Sequence, residues 1–258
     1  MPWTLSHPAV VLPLRRFSPQ PLDFAALVAG SVTPDFGYYI DRFDLAYFAH
    51  TLPGSFIACL PTGVIFLLTY YLFCRPVCYA LPSPHRQSLL PLCPVFPTNP
   101  TRWAIILLSL LLGAWTHNFW DAFTHEHGWF VDRIPWLQQP VLQVLSTTVC
   151  TYLVLQELST VIGFVIVVAA YGMWLHRQRP PRSTASEPDG WRYLLWGAIL
   201  VITLLTTLPP AIHFAASFHD LRFYRSLAFR TAISFPTIAI PLSLLATTII
   251  YARRHKKT

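Results

Sequence analysis

The residues best suited to chemistry form one short run, H-N-F-W-D-A-F-T-H, which extends from His117 to His125. On an α-helix with roughly 100° between successive residues, Asp121 and His125 lie about 40° and 80° from His117. The three side chains therefore share one face if the helix continues to the end of the run. Imidazole and carboxylate groups that converge in this way are typical ligands of a divalent metal ion.

The chemistry that such a cluster supports is metal-assisted hydrolysis, in which the ion lowers the pKa of water and polarises a phosphoryl or acyl oxygen. Asp121 and Glu126 are the candidate catalytic residues for proton transfer. Glu126 points away from the cluster on an ideal helix, and unwinding before Gly128 would bring it closer. Mixed histidine and carboxylate ligands fit zinc, manganese or iron better than magnesium, so the predicted cofactor is a divalent metal ion, with zinc among the candidates.

A purely structural interpretation of the same residues stays open. His117 and Asp121 would then hydrogen-bond to each other between helices, and His125 would be a solvated surface residue. An ionisable side chain in or near a bilayer is costly unless it has a partner or a function, which favours a functional cluster. One helix supplies too few ligands for a metal ion, so further ligands must come from elsewhere.

The N-terminal region offers three such ligands: His7 in S-H-P, Asp35 in G-S-V-T-P-D, and His50 in F-A-H-T-L-P-G-S. Each is a weak candidate alone, because a histidine in a loop is usually solvated and an aspartate after a proline is typical of a turn. Their value depends on whether the fold brings them to the same side of the membrane as His117.

The elements that must position these residues are membrane helices. The chain has 258 residues, of which 54% are hydrophobic and only 11% charged. Its mean hydropathy is +0.47, which is too apolar for an ordinary soluble domain. The apolar residues gather into stretches of about 20, the length that crosses a bilayer as a helix.

We predict an all-α fold, a polytopic membrane helical bundle of about five transmembrane helices that forms one membrane domain over residues 1–258. The segment from Pro21 to Ile40 is interrupted by Gly30 and Pro34, so we predict a re-entrant or surface helix there, within an N-terminal segment of residues 1–54. The predicted spans are residues 55–74, 103–120, 151–175, 191–218 and 231–251.

The distribution of positive charge predicts the orientation of these spans. The tail after Tyr251 is basic, which favours a cytoplasmic C-terminus. Counting back through five spans then places residues 1–54 and the loop 121–150 together on the outer side. His7, Asp35 and His50 therefore lie on the same side as the His117 cluster. The basic loop around Arg225 falls on the outer side and disagrees with the charge rule.

The remaining sequence features are less informative. The net charge of +7 lies mostly in loops and the tail, so we expect contact with membrane lipids and no nucleic-acid partner. Glu157, in the third span, is a hypothetical extension of the site or of a permeation path. The cysteines do not form a disulfide framework, and we assign them no role. They are Cys59, Cys74, Cys78, Cys93 and Cys150.

Several motifs in combination resemble a family of bacterial integral membrane proteins that is catalogued only as a domain of unknown function. The resemblance covers most of the chain and implies a multi-pass protein of the bacterial inner membrane. The motifs are M-P-W-T-L-S-H-P, G-S-V-T-P-D-F, H-T-L-P-G-S, T-H-N-F-W-D-A-F-T-H-E-H-G-W-F, and L-Q-E-L-S-T-V-I-G from Leu155.

More distantly, the pattern resembles the membrane-bound metal-dependent hydrolases. That resemblance implies metal ligation by His7, Asp35, His50, His117 and Asp121. The sequence departs from the motif H-R-G-x-T-H-S that those hydrolases often carry. Only the second histidine is present, as His50, and Leu45 stands at the position of the first.

Two classes of function therefore remain. The first is a metal-dependent hydrolase that acts on a phosphoester or lipid-linked substrate at the membrane surface. The second is a membrane protein without catalysis, in which the polar cluster binds or transports a metal ion or holds helices together. An enzyme requires bound metal and turnover, a transporter requires metal flux, and a purely structural cluster requires neither. The oligomeric state is not predicted.

Overall fold

The computed structural model describes residues 3–144, 147–178 and 188–256. Within these residues the fold is helical apart from one small two-stranded sheet. Five helices are long and apolar enough to cross a membrane, which confirms the predicted all-α multi-pass architecture. They are Leu52–Ala80, Pro100–Thr124, Thr151–Gln178, Gly190–Ala215 and Asp220–His255.

The N-terminal segment consists of short helices, none of which has the length of a membrane span. The stretch from Pro21 to Ile40 divides into two of them, joined by a turn that contains Pro34 and Asp35. Asp23 caps the first, because its Oδ1 accepts a hydrogen bond from the backbone N–H of Ala26 at 2.8 Å. The four helices are α1 (Pro8–Val11), α2 (Phe24–Gly30), α3 (Phe36–Tyr39) and α4 (Phe43–Ala49). Short 3-10 helices flank α1 at Thr4–Ser6 and Leu12–Phe17.

The first two spans are longer than the sequence pattern predicts. The first comprises α5 (Leu52–Gly54), a π-helical turn (Ser55–Cys59) and α6 (Leu60–Ala80), and it begins where the Thr51 hydroxyl accepts the N–H of Gly54. The following loop contains α7 (His85–Leu89) and a 3-10 turn (Leu90–Leu92). The second span is α8 (Pro100–Thr124). Its start is fixed by the side chain of Asn99, whose Oδ1 accepts the N–H of Thr101, and by proline in the first turn.

Between the second and third spans lie α9 (Pro135–Gln138) and an antiparallel hairpin of β1 (Pro140–Val144) and β2 (Thr147–Cys150). The hairpin was not predicted. The remaining spans are α10 (Thr151–Gln178), α11 (Gly190–Ala215) and α12 (Asp220–His255). The fourth span ends before the predicted Phe218, because the chain turns there and His219 adopts an extended backbone. The fifth begins at once with Asp220, well before the predicted residue 231.

The described residues form two compact units. The first comprises Met1–Leu67 and Pro97–Ala170. In it α2 packs directly along α8, with backbones so close that a Cβ on Gly30 would lie 2.1 Å from the carbonyl oxygen of Leu110. A Cβ on Gly113 would lie 2.3 Å from the carbonyl oxygen of Leu27. Glycine is therefore required on both helices at this crossing.

The second unit comprises Leu68–Phe96 and Tyr171–Thr258. In it α11 packs along α12, and the start of α11 is anchored by the buried side chain of Arg192. Its guanidinium donates to Asp189 Oδ1 at 3.2 Å and to the backbone carbonyl of Tyr79 at 3.3 Å. The connection between α10 and α11 lies mostly outside the described residues.

Candidate metal centre

Three imidazoles and two carboxylates meet inside the first unit. They come from the N-terminal turn, the turn before α3, the end of α4 and the last turns of α8. Four of them each offer one ligand atom, and these atoms all lie within 4.8 Å of one another: Asp35, His50, His117 and Asp121. His7 is the fifth residue, and its Nε2 lies 3.5 Å from Asp121 Oδ1.

Asp121 lies at the middle of this group. Its Oδ2 is 3.3 Å from Nε2 of His50 and 3.3 Å from Nε2 of His117. Its Oδ1 faces His7. Because His117 and Asp121 are four residues apart on α8, the helix itself places both side chains on the buried face.

Asp35 closes the opposite side of the group. Its Oδ1 lies 3.5 Å from Nε2 of His117 and 3.7 Å from Nε2 of His50. Its other oxygen, Oδ2, accepts a hydrogen bond from the hydroxyl of Thr4 at 2.5 Å. Thr4 therefore orients the carboxylate, a role that the sequence analysis did not assign to it.

Two of the imidazoles are oriented by backbone carbonyls. His117 Nδ1 contacts the carbonyl oxygen of Ser31 at 2.8 Å, and His50 Nδ1 contacts that of Ala46 at 2.7 Å. A carbonyl oxygen only accepts, so Nδ1 of each ring carries a hydrogen. In the neutral rings Nε2 then presents a lone pair towards the carboxylates. Second-sphere carbonyls orient metal-ligating histidines in this way.

Several buried atoms of these residues have no hydrogen-bond partner among the described residues. The buried atoms concerned are Nδ1 and Nε2 of His7, Oδ1 of Asp35, Nε2 of His117, and both carboxylate oxygens of Asp121. Unsatisfied buried polar atoms are costly, and a cation bound between these nitrogen and oxygen atoms would satisfy them. The donor set therefore fits a divalent metal ion.

Burial also keeps His7 in the form that binds metal. Desolvation lowers the pKa of His7 from 6.5 to about 3, so its imidazole is neutral at ordinary pH. A neutral imidazole is the metal-ligating form. His50 is the most accessible histidine of the group, because its side chain retains 23% of its exposure.

The other predicted site residues lie at the edge of the cluster or outside it. α8 ends at Thr124, and His125 has an extended backbone, so it does not continue the helical face as predicted. Its Nδ1 still lies 3.5 Å from Asp121 Oδ2, and burial lowers its pKa. Glu126 is exposed in the turn that follows, and the described contacts of the cluster do not include it. Glu157 lies on an exposed face of α10.

A cavity of about 350 Å³ opens beside the cluster, and His7 forms part of its wall. The opposite wall is supplied by α10, which contacts the N-terminal turn closely: the hydroxyl of Ser6 donates to the carbonyl of Thr160 at 2.7 Å. Most of the lining is apolar, and it includes Val10, Trp120, Leu155, Leu158, Ile162 and Ile166.

Comparison with known proteins identifies one family. The sequence profile of a family described as "Domain of unknown function (DUF4184)" matches residues 1–252. No curated protein and no solved structure matches the chain. The family description includes no activity, so the geometry of the cluster must carry the functional argument.

Proposed function

The chain belongs to the DUF4184 family, and we propose that it is a membrane-bound metal-dependent hydrolase. The proposed ligands are His7, Asp35, His50, His117 and Asp121. The observation that carries the proposal is the convergence of buried nitrogen and oxygen lone pairs that have no hydrogen-bond partner among the described residues.

The distances support a shared ion. Ligand atoms bound about 2.0 to 2.2 Å from one ion are separated from each other by about 3.0 to 3.5 Å. Asp121 Oδ2 lies 3.3 Å from Nε2 of His50 and 3.3 Å from Nε2 of His117, and Asp121 Oδ1 lies 3.5 Å from Nε2 of His7. Two carboxylates balance the charge of a divalent cation, and three imidazoles favour zinc, manganese or iron over magnesium.

A divalent ion held here would supply a water of lowered pKa and polarise a phosphoryl or acyl oxygen. Of the two residues considered for proton transfer, Asp121 lies within the cluster and Glu126 is exposed outside it. We therefore assign proton transfer to Asp121 first. His125, at the half-exposed edge beside Asp121, is placed to pass that proton to solvent.

The proposed substrate is a phosphoester carried by a lipid or a lipid-linked molecule. The apolar cavity beside His7 has the lining that an acyl or isoprenoid chain requires, and it brings such a chain next to the cluster. Catalysis would take place at the surface of the bacterial inner membrane. With a cytoplasmic C-terminus, the charge distribution puts the site on the outer side.

The test compares the metal content of the detergent-purified protein with that of His117→Ala. The matched control is His213→Ala, because His213 is an exposed histidine on α11. We expect close to one metal ion per chain in the parent and the control, and little in His117→Ala. The proposal is overturned if the parent binds no metal after reconstitution, or if His117→Ala binds as much.

Activity is measured separately on phospholipid vesicles and on a soluble phosphomonoester. Hydrolysis by the metal-loaded parent, and its loss in His117→Ala, supports an enzyme. Bound metal without hydrolysis of either substrate contradicts the hydrolase proposal and favours the metal-binding or transport alternative.

A further inference from the structure

A second cluster of ligand atoms lies in the unit that contains Leu68–Phe96, and it consists of three thiols. The Sγ atom of Cys74 is 3.8 Å from that of Cys78 and 3.2 Å from that of Cys93. All three sulfur atoms lie within 4.8 Å of one another, and all three cysteines are free thiols.

Local structure explains this convergence. Cys74 and Cys78 are four residues apart near the end of α6, so they share one face of the helix. The loop after α6 folds back through α7 and the 3-10 turn Leu90–Leu92, and Cys93 directly follows that turn. Cys93 is held there by a further contact of its Sγ with the carbonyl oxygen of Leu89 at 3.9 Å.

We propose that Cys74, Cys78 and Cys93 bind a zinc ion through their thiolates. Zinc bonds to sulfur at about 2.3 Å, and tetrahedral geometry then separates neighbouring sulfur atoms by about 3.8 Å. The separation of Cys74 and Cys78 matches this value, and that of Cys74 and Cys93 would have to increase by a few tenths of an ångström. Three sulfur ligands select zinc or another soft cation over magnesium and calcium.

The burial of the cluster is consistent with a bound ion that keeps one open position. Cys78 is buried, whereas Cys74 and Cys93 are half-buried, so solvent water would supply the fourth ligand. Binding would convert the thiols to thiolates and release their protons to solvent, so the affinity falls as the pH is lowered.

This site is independent of the histidine and aspartate cluster, because the two share no residue. One offers sulfur ligands, and the other offers nitrogen and oxygen ligands. Sulfur ligands also give a distinct spectroscopic signal. Cobalt bound to thiolates has an intense sulfur-to-metal charge-transfer band, which cobalt bound only to nitrogen and oxygen lacks. Failure of one proposal therefore does not decide the other.

The experiment titrates Co²⁺ into the full-length, detergent-purified protein under reducing conditions and records the charge-transfer band. Cys74→Ser and Cys93→Ser remove ligands from different elements, and Cys150→Ser is the matched control outside the cluster. We expect the band in the parent and in Cys150→Ser, and its disappearance when Zn²⁺ displaces Co²⁺. We expect no band in either cluster variant. Absence of the band in the parent, or its persistence in both cluster variants, overturns the proposal.

Discussion

His7 and His117 lie face to face, with ring centroids 3.6 Å apart and ring planes inclined by 17°. The stack joins the N-terminal turn to the last turns of α8, and both rings are buried. Two protonated rings at this separation would repel each other strongly. At least one of the two rings must therefore be neutral, and the lowered pKa of His7 provides this, so the N-terminal turn packs directly against the proposed site.

The contact of Thr4 with Asp35 gives a test of how the carboxylate is oriented. Thr4→Val keeps the side-chain shape and removes the hydroxyl that donates to Asp35 Oδ2. Loss of an outer-sphere partner typically lowers metal affinity about 10- to 100-fold. We therefore expect weaker metal binding by competitive titration. The thermal unfolding midpoint should fall by no more than the loss of a single hydrogen bond explains.

The matched control for this prediction is Thr206→Val. Among the described residues, the hydroxyl of Thr206 donates to carbonyl oxygens of its own helix, at Ile202 and Thr203. We expect its metal affinity to equal that of the parent. Equal affinity in Thr4→Val would show that Thr4 does not support the site.

The close crossing of α2 and α8 gives a test of how the fold supports the site. Gly113→Ala introduces a Cβ 2.3 Å from the carbonyl oxygen of Leu27 and 2.8 Å from the backbone nitrogen of Ser31. We expect α2 to shift, at a cost of about 1 to 3 kcal/mol in unfolding free energy. Because the carbonyl of Ser31 orients His117, we also expect metal affinity to fall.

Gly197→Ala is the control, because a Cβ at Gly197 meets nothing within 4 Å. Its unfolding midpoint in detergent should equal or exceed that of the parent, since alanine is the better helix former. An unfolding midpoint of Gly113→Ala equal to that of Gly197→Ala would contradict the tight helix crossing.

The sequence was most informative where the length of an apolar stretch predicts a span or the helical period predicts which residues share one face of a helix. Hydrophobic length predicted five spans, and the helical period placed His117 and Asp121 on one face of α8. The helical face does not continue to His125, because α8 ends at Thr124, although His125 Nδ1 still lies 3.5 Å from Asp121 Oδ2. The residue at which a helix ends depends on the turn that follows it, and the periodicity of the sequence does not indicate that residue.

Contacts between aperiodic segments were not predictable from the sequence. Cys93 joins Cys74 only because the loop after α6 folds back, and nothing in the spacing of the cysteines indicates that path. The hydrogen bond of Thr4 with Asp35 likewise depends on two turns far apart in the chain. Sequence reasoning could nominate His7 and Asp35 as ligands, but their supporting partners required the tertiary structure.

The membrane orientation gives a further prediction. Three predicted spans separate Pro140 from Thr258, so reporter fusions at these two positions should lie on opposite sides of the membrane. Thr258 itself lies outside the described residues. The basic tail predicts that the fusion at Thr258 is cytoplasmic. Cytoplasmic signals from both fusions would contradict the number of spans and the outer position of the site.

The cavity beside His7 gives a test of the substrate class that leaves the metal centre intact. Leu155→Trp adds volume to the cavity wall without changing a ligand. We expect the hydrolysis of long-chain phospholipid in vesicles to fall at least about tenfold, the effect of about 1.4 kcal/mol on the barrier. Metal content and hydrolysis of a soluble phosphomonoester should not change, because neither requires the cavity.

The control is Leu194→Trp, since Leu194 is exposed on α11 and lies outside the cavity lining. It should retain parental activity on both substrates. If Leu155→Trp lowers both activities equally, the cavity does not select the lipid chain, because chain binding affects only the long-chain substrate. If neither activity changes, the chain must bind elsewhere, and the proposed lipid specificity loses its structural basis.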